Sequence, residues 1–245
     1  MKRILKFSAA FTAFLTYAGY AMAQGGPAEA GQEVPLHQQL KIQFIDGGPP
    51  FMTPIILCLV LGLAFCIERI IYLNLATTNI KKLLTSLESA LEDGGIEAAK
   101  EVCRNTRGPV ASIFYQGLDR NEEGLDMVEK SIVSYGSVQM GQLETNLPWI
   151  GLFIALAPSL GFLGTVIGMV QAFDDIQKAG TMSPTVVAGG MKVALITTVT
   201  GLIVAIILQV FYNYIVSKID GIVNSMEDAS ISFVDILMKH NTKSK

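Results

Sequence analysis

Hydroxyl-bearing side chains stand out in two long apolar stretches of the chain. Thr165 lies in the first stretch, and Thr197, Thr198 and Thr200 lie in the second. A threonine hydroxyl donates and accepts hydrogen bonds, and inside a helix it can bond a carbonyl one turn back. These residues therefore favour either local bonding within their helices or the lining of a narrow polar passage, with Thr165, Thr197 and Thr198 as the candidate lining residues.

Small residues follow the same two stretches at helical spacing. In the first stretch they are Ala157, Gly161, Gly164, Gly168 and Ala172, and in the second they are Ala194, Thr198, Gly201 and Ala205. Small residues let helices approach closely in lipid, where apolar burial alone gives little drive for association. The stripes predict helix packing, and the threonines leave open that the same faces line a passage. Stripes on two spans would find partners on both sides in a ring of identical subunits.

Ionisable side chains are absent from the interior of both stretches, which hold no Asp, Glu or His. Proton relays in membranes normally use such groups, so a second polypeptide would have to supply a titrating carboxylate. Glu68 is embedded in an earlier apolar stretch, but the adjacent Arg69 favours an interfacial pair. Lys192 can anchor a helix end by snorkelling. Glu68 and Lys192 are the candidate charged positions.

The composition explains why long helices must position these residues. Of the 245 residues, 51% are hydrophobic and only 16% are charged, against about 25% charged in soluble domains. No charged residue occurs in 47–67, 145–173 or 193–217. A helix needs roughly 20 apolar residues to cross a bilayer. The sequence predicts an all-α polytopic membrane protein with three transmembrane helices and a helical domain between the first two.

Several classes of function are disfavoured by the same numbers. A net charge of −3 without a basic stripe gives no electrostatic footprint for nucleic acid. Two histidines and three cysteines show no zinc-ligand spacing, and no nucleophile–base pair or phosphate loop is visible. We therefore expect no catalytic residue, no metal, no cofactor and no enzymatic activity.

The N-terminus has the pattern of a cleavable signal peptide. A basic start is followed by a short apolar run and by Ala21-Met22-Ala23, a small-x-small cleavage pattern. Cleavage after Ala23 is favoured, and a retained first transmembrane helix is the alternative. The complete predicted organisation is a signal peptide (1–23), a periplasmic segment (24–50), span one (51–75), a cytoplasmic helical domain (76–145), span two (146–174), a periplasmic loop (175–184), span three (185–217) and a cytoplasmic tail (218–245).

Basic residues set the predicted orientation. Residues 76–145 hold seven Lys and Arg, and residues 218–245 hold four, whereas the connection at 175–184 holds Lys178 alone. Basic segments face the cytoplasm. Three spans then place the mature N-terminus outside, in agreement with the signal peptide.

Two motifs carry a family resemblance. The segment 156–170, which contains Ala157-Pro158 and Gly164-Thr165, and the segment 189–202, which contains Thr197-Thr198, resemble the signatures of the MotA/TolQ/ExbB proton-channel family. The likeness covers roughly residues 50–235, and three spans favour the ExbB/TolQ branch. Val193 departs from the family pattern, because many members have glutamate there, and this puts the periplasmic proton-uptake site in doubt.

The resemblance implies a function and partners. Similar proteins form pentamers in the inner membrane of double-membraned bacteria and enclose single helices of an ExbD/TolR-type partner, whose intramembrane aspartate carries the proton. The work passes to TonB- or TolA-type proteins. By the motif match, Thr165 and Thr198 occupy the family's functional threonine positions. The alternative is a non-conducting scaffold that assembles single-span partners.

Overall fold

The computed structural model describes residues 36–180 and 184–243, and every regular element within them is helical. The helices are α1 (Leu36–Asp46), α2 (Pro49–Ala76), α3 (Ile80–Asn105), α4 (Pro109–Asp119), α5 (Leu125–Leu143), α6 (Leu147–Ala179) and α7 (Pro184–Lys243), with a 3-10 turn at Asn121–Glu123. Three helical segments of the described chain are long and apolar enough to cross a membrane. The predicted all-α fold with three membrane-spanning helices is confirmed, while the signal peptide falls outside the described residues.

The chain divides into two units, 1–41 and 42–245. Within the first unit, the described residues form the N-terminal part of α1. The second unit holds the remainder of α1 and the helices α2 to α7. Every packing contact considered below lies within this second unit.

Breaks within and between the shorter helices lie at glycine and proline residues. Gly95 has φ 66° and ψ −157°, which kinks α3 next to Asp93. Gly108 has φ 116°, and α4 starts at Pro109. Glycine tolerates positive φ because it lacks a Cβ, and proline fits the first helical turn because the missing N–H has no helical partner there.

A short turn separates α5 from α6. The sequence shows no obvious stop between Met127 and the second span, yet α5 ends at Leu143 and a short turn precedes α6. Asn146 takes a left-handed conformation in that turn, with φ 65°, which asparagine tolerates better than most residues. The chain therefore changes direction just before the apolar stretch begins.

Helix α7 continues through the predicted end of the third span at residue 217 and runs unbroken to Lys243. At 1.5 Å per residue its 60 residues extend about 90 Å. Its C-terminal part buries an apolar stripe against α3, α4 and α5: Ile215, Ile219, Ile222, Met226, Ala229, Phe233 and Leu237. Phe233 stacks on Phe114 of α4 with ring centroids 4.4 Å apart. The continuous helix α7 thus joins the apolar half of the protein to its helical domain.

In the apolar half, α2, α6 and α7 pack against one another. Gly62 of α2 lies under Leu208 of α7, where an added Cβ would come within 2.7 Å of a leucine methyl carbon. Phe65 of α2 stacks on Trp149 and Phe153 of α6, at 6.5 and 6.1 Å between centroids. These contacts fix the three long helices side by side and so position the residues on α6 and α7.

Candidate functional site

The two small-residue stripes face each other within one chain. Ala157, Gly161, Gly164, Gly168 and Ala172 of α6 are buried, as are Ala194 and Gly201 of α7, and Ala205 is half-buried. An added Cβ on Gly161 would lie 2.9 Å from the Thr197 carbonyl oxygen, and one on Gly201 would lie 2.5 Å from the Ala157 carbonyl oxygen. The backbones of the two helices therefore approach at these glycines, which larger residues would keep apart.

This packing removes the argument that the small-residue stripes need neighbouring copies of the chain as partners. Because the stripes of α6 and α7 pack on each other, they do not need a second copy of the chain on either side. Large apolar side chains remain exposed on the outer faces of the same helices, among them Phe162 at 66% and Leu195 at 61%. In a membrane protein, those faces meet lipid or other polypeptides.

The threonines meet at the centre of this helix pair. The hydroxyls of Thr165 and Thr198 are hydrogen-bonded to each other. The Thr165 hydroxyl also lies 3.0 Å from the Ala194 carbonyl oxygen, and the Thr198 hydroxyl lies 3.2 Å from the Gly161 carbonyl oxygen. Each of these acceptors belongs to the opposite helix, so the pair bridges α6 and α7.

The bridge has two alternative hydrogen-bond directions. Each hydroxyl carries one proton and two lone pairs. Thr165 can donate to Thr198 while Thr198 donates to Gly161, or Thr198 can donate to Thr165 while Thr165 donates to Ala194. Both threonines are half-buried. If one hydroxyl gives up its carbonyl acceptor, it can donate to a neighbouring group, and the unused lone pairs can accept, while the bond between the two hydroxyls still links the helices.

Thr197 has a different environment from its two neighbours. It has no exposed surface, and its side chain fits against Gly164, where an added Cβ would lie 2.8 Å from the Thr197 Cβ. Its hydroxyl donates within α7, 2.9 Å from the Ala194 carbonyl oxygen. Its position fits helix packing, whereas Thr165 and Thr198 remain the partly accessible pair.

Glu68 and Arg69 form an ion pair where α2 meets the end of α5 and the start of α6. The Arg69 guanidinium, only 5% exposed, donates to both Glu68 carboxylate oxygens at 3.0 and 3.2 Å. It also donates to the Gln142 carbonyl at the end of α5, at 3.2 Å. The Asn146 amide donates to Glu68 at 3.1 Å. Glu68 and Arg69 thus form an ion pair that also connects α2 to the turn between α5 and α6.

Lys192, for which the sequence predicted snorkelling, forms an ion pair in the structure. Its ammonium nitrogen lies 2.6 Å from an Asp46 carboxylate oxygen at the end of α1. Asp46 was missed in the sequence because it precedes an unrelated apolar stretch, and no local pattern connects the two positions. An added Cβ on Gly48 would lie 3.8 Å from a Val193 methyl carbon, so this end of α7 contacts the segment that follows α1.

These features define a polytopic, all-helical membrane protein whose long helices pair through small residues around a threonine bridge. The family model of the MotA/TolQ/ExbB proton channel family matches residues 105–228. The chain belongs to this family, and its relatives place it in the ExbB branch.

Three relatives show the extent of the similarity. The chain is 32% identical over 168 residues to a biopolymer transport protein ExbB homolog of Methanothermobacter thermautotrophicus, covering 68% of this chain and 59% of that protein. It is 32% identical over 125 residues to the biopolymer transport protein ExbB of Neisseria gonorrhoeae, covering 49% and 52%. An ExbB-like protein of Synechocystis is 26% identical over 180 residues, covering 71% and 70%. The chain thus spans 52–70% of the length of these relatives.

Proposed function

We propose that this protein is the proton-channel and motor subunit of an ExbB–ExbD-type complex, which uses the proton motive force to drive TonB- or TolA-type work at the outer membrane. The observation that carries the proposal is the Thr165–Thr198 bridge within the charge-free stretches of α6 and α7. Each proton that crosses 100 mV releases about 2.3 kcal/mol, so several protons support one costly mechanical step.

The proposal assigns the titrating group to a partner. Neither 147–173 nor 193–217 contains Asp, Glu, His, Lys or Arg. Threonine hydroxyls stay neutral near pH 7 and therefore cannot serve as the titrating group. An intramembrane aspartate of a single-span ExbD/TolR-type protein would supply that group. Thr165 and Thr198 would offer it a donor or an acceptor as it changes protonation state. Identical subunits, five by family resemblance, would surround the partner helices.

The proposed location is the inner membrane of a double-membraned bacterium, with the N-terminus periplasmic and residues 76–145 and 218–245 cytoplasmic. The distribution of Lys and Arg supports this orientation.

Thiol labelling tests the orientation, but the native Cys103 is unsuitable as a probe. It is 2% exposed, and burial raises the pKa of its thiol to about 12, so little reactive thiolate forms. The exposed Glu122 is a better position. We expect a membrane-impermeant maleimide to label a Glu122→Cys variant in inverted vesicles and to leave it unlabelled in intact spheroplasts. The unaltered chain is the control for background reaction, and labelling of Glu122→Cys from outside would contradict the orientation.

Proton flux in proteoliposomes tests the function itself. With an imposed membrane potential, we expect an internal pH dye to report flux when this chain is reconstituted with an ExbD/TolR-type partner. Replacing the partner's intramembrane aspartate by asparagine should abolish that flux.

A second candidate is a non-conducting scaffold, which is favoured by one observation. The hydroxyls of Thr165 and Thr198 already have carbonyl acceptors on the opposite helix, as packing alone would require. A stable complex whose flux matches protein-free vesicles would support the scaffold and contradict the proposed channel.

A further inference from the structure

A small cavity lies away from the threonine bridge, where the end of α2 and the starts of α3 and α4 meet α7. Its volume is about 210 Å³, below the roughly 300–1,000 Å³ of sites that hold drug-sized ligands. The lining includes the hydroxyls of Thr77, Thr78, Ser217 and Ser225 beside apolar side chains. A cavity of this size and polarity suits a compact polar group.

Among the described residues that line the cavity, Lys218 alone is charged. Its side chain is half-buried, and its ammonium group forms no ion pair or hydrogen bond within the described chain. The neighbouring Ser217 hydroxyl has no hydrogen-bond partner there either, whereas the hydroxyls of Thr77, Thr78 and Ser225 already donate to backbone carbonyls. The cavity therefore offers a cation and a free hydroxyl donor to a negatively charged group.

The sequence segments around the cavity lack acidic residues that would neutralise Lys218. None of 69–87, 102–118 and 193–219 contains Asp or Glu, and these ranges hold the α2, α3 and α4 parts of the lining together with Lys218. Asp220 follows Lys218 by two positions, which turns it about 200° around the helix and away from the cavity. The uncompensated positive charge favours a bound anion.

Further cations lie around the same cavity. Lys81 directly follows the lining residue Ile80, and Arg107 lies beside the cavity because its carbonyl accepts a hydrogen bond from the Thr78 hydroxyl. Both side chains are exposed, and neither forms an ion pair with another residue that the structure describes. Several positive charges around one recess attract a group that carries several negatively charged oxygen atoms, as phosphate does.

The cavity lies where the third span ends. Lys218 is the first charged residue after the charge-free range 193–217, and α7 continues past it without a break. Basic residues immediately beyond spanning helices bind the head groups of anionic lipids. This position is accessible to a lipid phosphate and to a phosphate dissolved in the adjoining water.

We propose that this cavity is a phosphate-binding site, with Lys218 as the principal contact and the Ser217 hydroxyl as a hydrogen-bond donor. The phosphate belongs to the head group of an anionic lipid or to a soluble phosphate compound, since the same lining chemistry recognises both. The site involves neither Thr165 nor Thr198, so it stands independently of proton conduction.

Native mass spectrometry of the full chain in detergent tests the site and identifies the source of the phosphate. The protein is titrated separately with phosphatidylglycerol, with diacylglycerol of the same acyl chains, and with inorganic pyrophosphate. We expect phosphatidylglycerol or pyrophosphate to bind more tightly than diacylglycerol, and that binding to weaken as the ionic strength rises. Binding of phosphatidylglycerol without pyrophosphate assigns a lipid head group, whereas binding of pyrophosphate, alone or in competition with the lipid, assigns a soluble phosphate.

Two variants test the charge and the space separately. Lys218→Gln should weaken binding of the phosphate ligand about 10- to 150-fold, the factor for loss of one hydrogen bond to a charged group, and Lys218→Arg should retain most of the binding. Gly221 lines the cavity, and nothing lies within 4 Å of a Cβ added there. The leucine of Gly221→Leu can therefore extend into the cavity without forcing helices apart, and this variant should lose binding although it keeps Lys218.

Lys130→Gln is the matched control, because Lys130 is another lysine without an ion pair in the described chain but lines a different cavity. It should bind the phosphate ligand as the unaltered chain does. Thermal unfolding without ligand should give Lys218→Gln, Gly221→Leu and Lys130→Gln melting temperatures close to that of the unaltered chain. Unchanged binding in Lys218→Gln or Gly221→Leu, an equal loss in Lys130→Gln, or equal affinity for diacylglycerol and both phosphate ligands would overturn the proposal.

Discussion

The Thr165→Val, Thr198→Val double variant should assemble normally and lose most proton-driven activity. Valine keeps the volume and branching of threonine but removes the hydroxyl. The structure shows why folding should tolerate the change: the Ala194 and Gly161 carbonyls that accept from these hydroxyls lie within helices. The double variant loses both hydroxyls, and with them the hydrogen bond between Thr165 and Thr198 that can run in either direction.

The expected size of the effect follows from one lost hydrogen bond per threonine. A buried group left without a partner costs about 1–3 kcal/mol. At 1.4 kcal/mol per decade, each single variant should slow proton-driven flux about 5- to 150-fold. Flux is measured in the proteoliposome assay with partner present, and native mass and partner binding are measured on the same preparations.

Thr200→Val is the matched control on the same helix. The Thr200 hydroxyl donates to the Ile196 carbonyl of its own helix at 2.8 Å, so its loss leaves the bridge between α6 and α7 intact. We expect near-normal flux for this variant. Full flux in the Thr165, Thr198 double variant would remove the case for these threonines as part of a proton pathway.

Gly201→Ala should destabilise the chain strongly. An added Cβ would lie 2.5 Å from the Ala157 carbonyl oxygen and 3.3 Å from the Gly161 Cα. Because both contacts are with backbone, no side chain can rotate away, and the helices must separate. Overpacking of this kind typically costs 1–3 kcal/mol. Thermal unfolding in detergent should report a melting temperature lower by roughly 2–12 °C.

Gly221→Ala on the same helix is the control for this change. Nothing lies within 4 Å of a Cβ added there, and alanine is favoured over glycine in a helix by about 1 kcal/mol. Its melting temperature should be unchanged or raised. The loss in Gly201→Ala should also persist at dilutions that dissociate any oligomer, because the contact is within one chain. Equal stability of the two variants would contradict the close approach of α6 and α7.

Much of the fold follows from local sequence. The charge-free ranges 47–67, 145–173 and 193–217 determine three spanning helices, because a buried charge is costly in lipid whatever surrounds it. Gly95 and Gly108-Pro109 mark helix breaks through backbone geometry alone. The small-residue stripes likewise indicate close packing before any partner helix is known.

The identity of each contact depended on the tertiary structure. Sequence periodicity shows that a helix face is small or polar, but it does not show what that face meets. The stripes could have packed against other copies of the chain, and only the fold shows that they pack against each other. For the same reason the Thr165–Thr198 bridge and the Asp46–Lys192 ion pair had no signal in the sequence. Each depends on residues far apart in the chain, brought together by the packing of whole helices, and local spacing carries no information about such pairs.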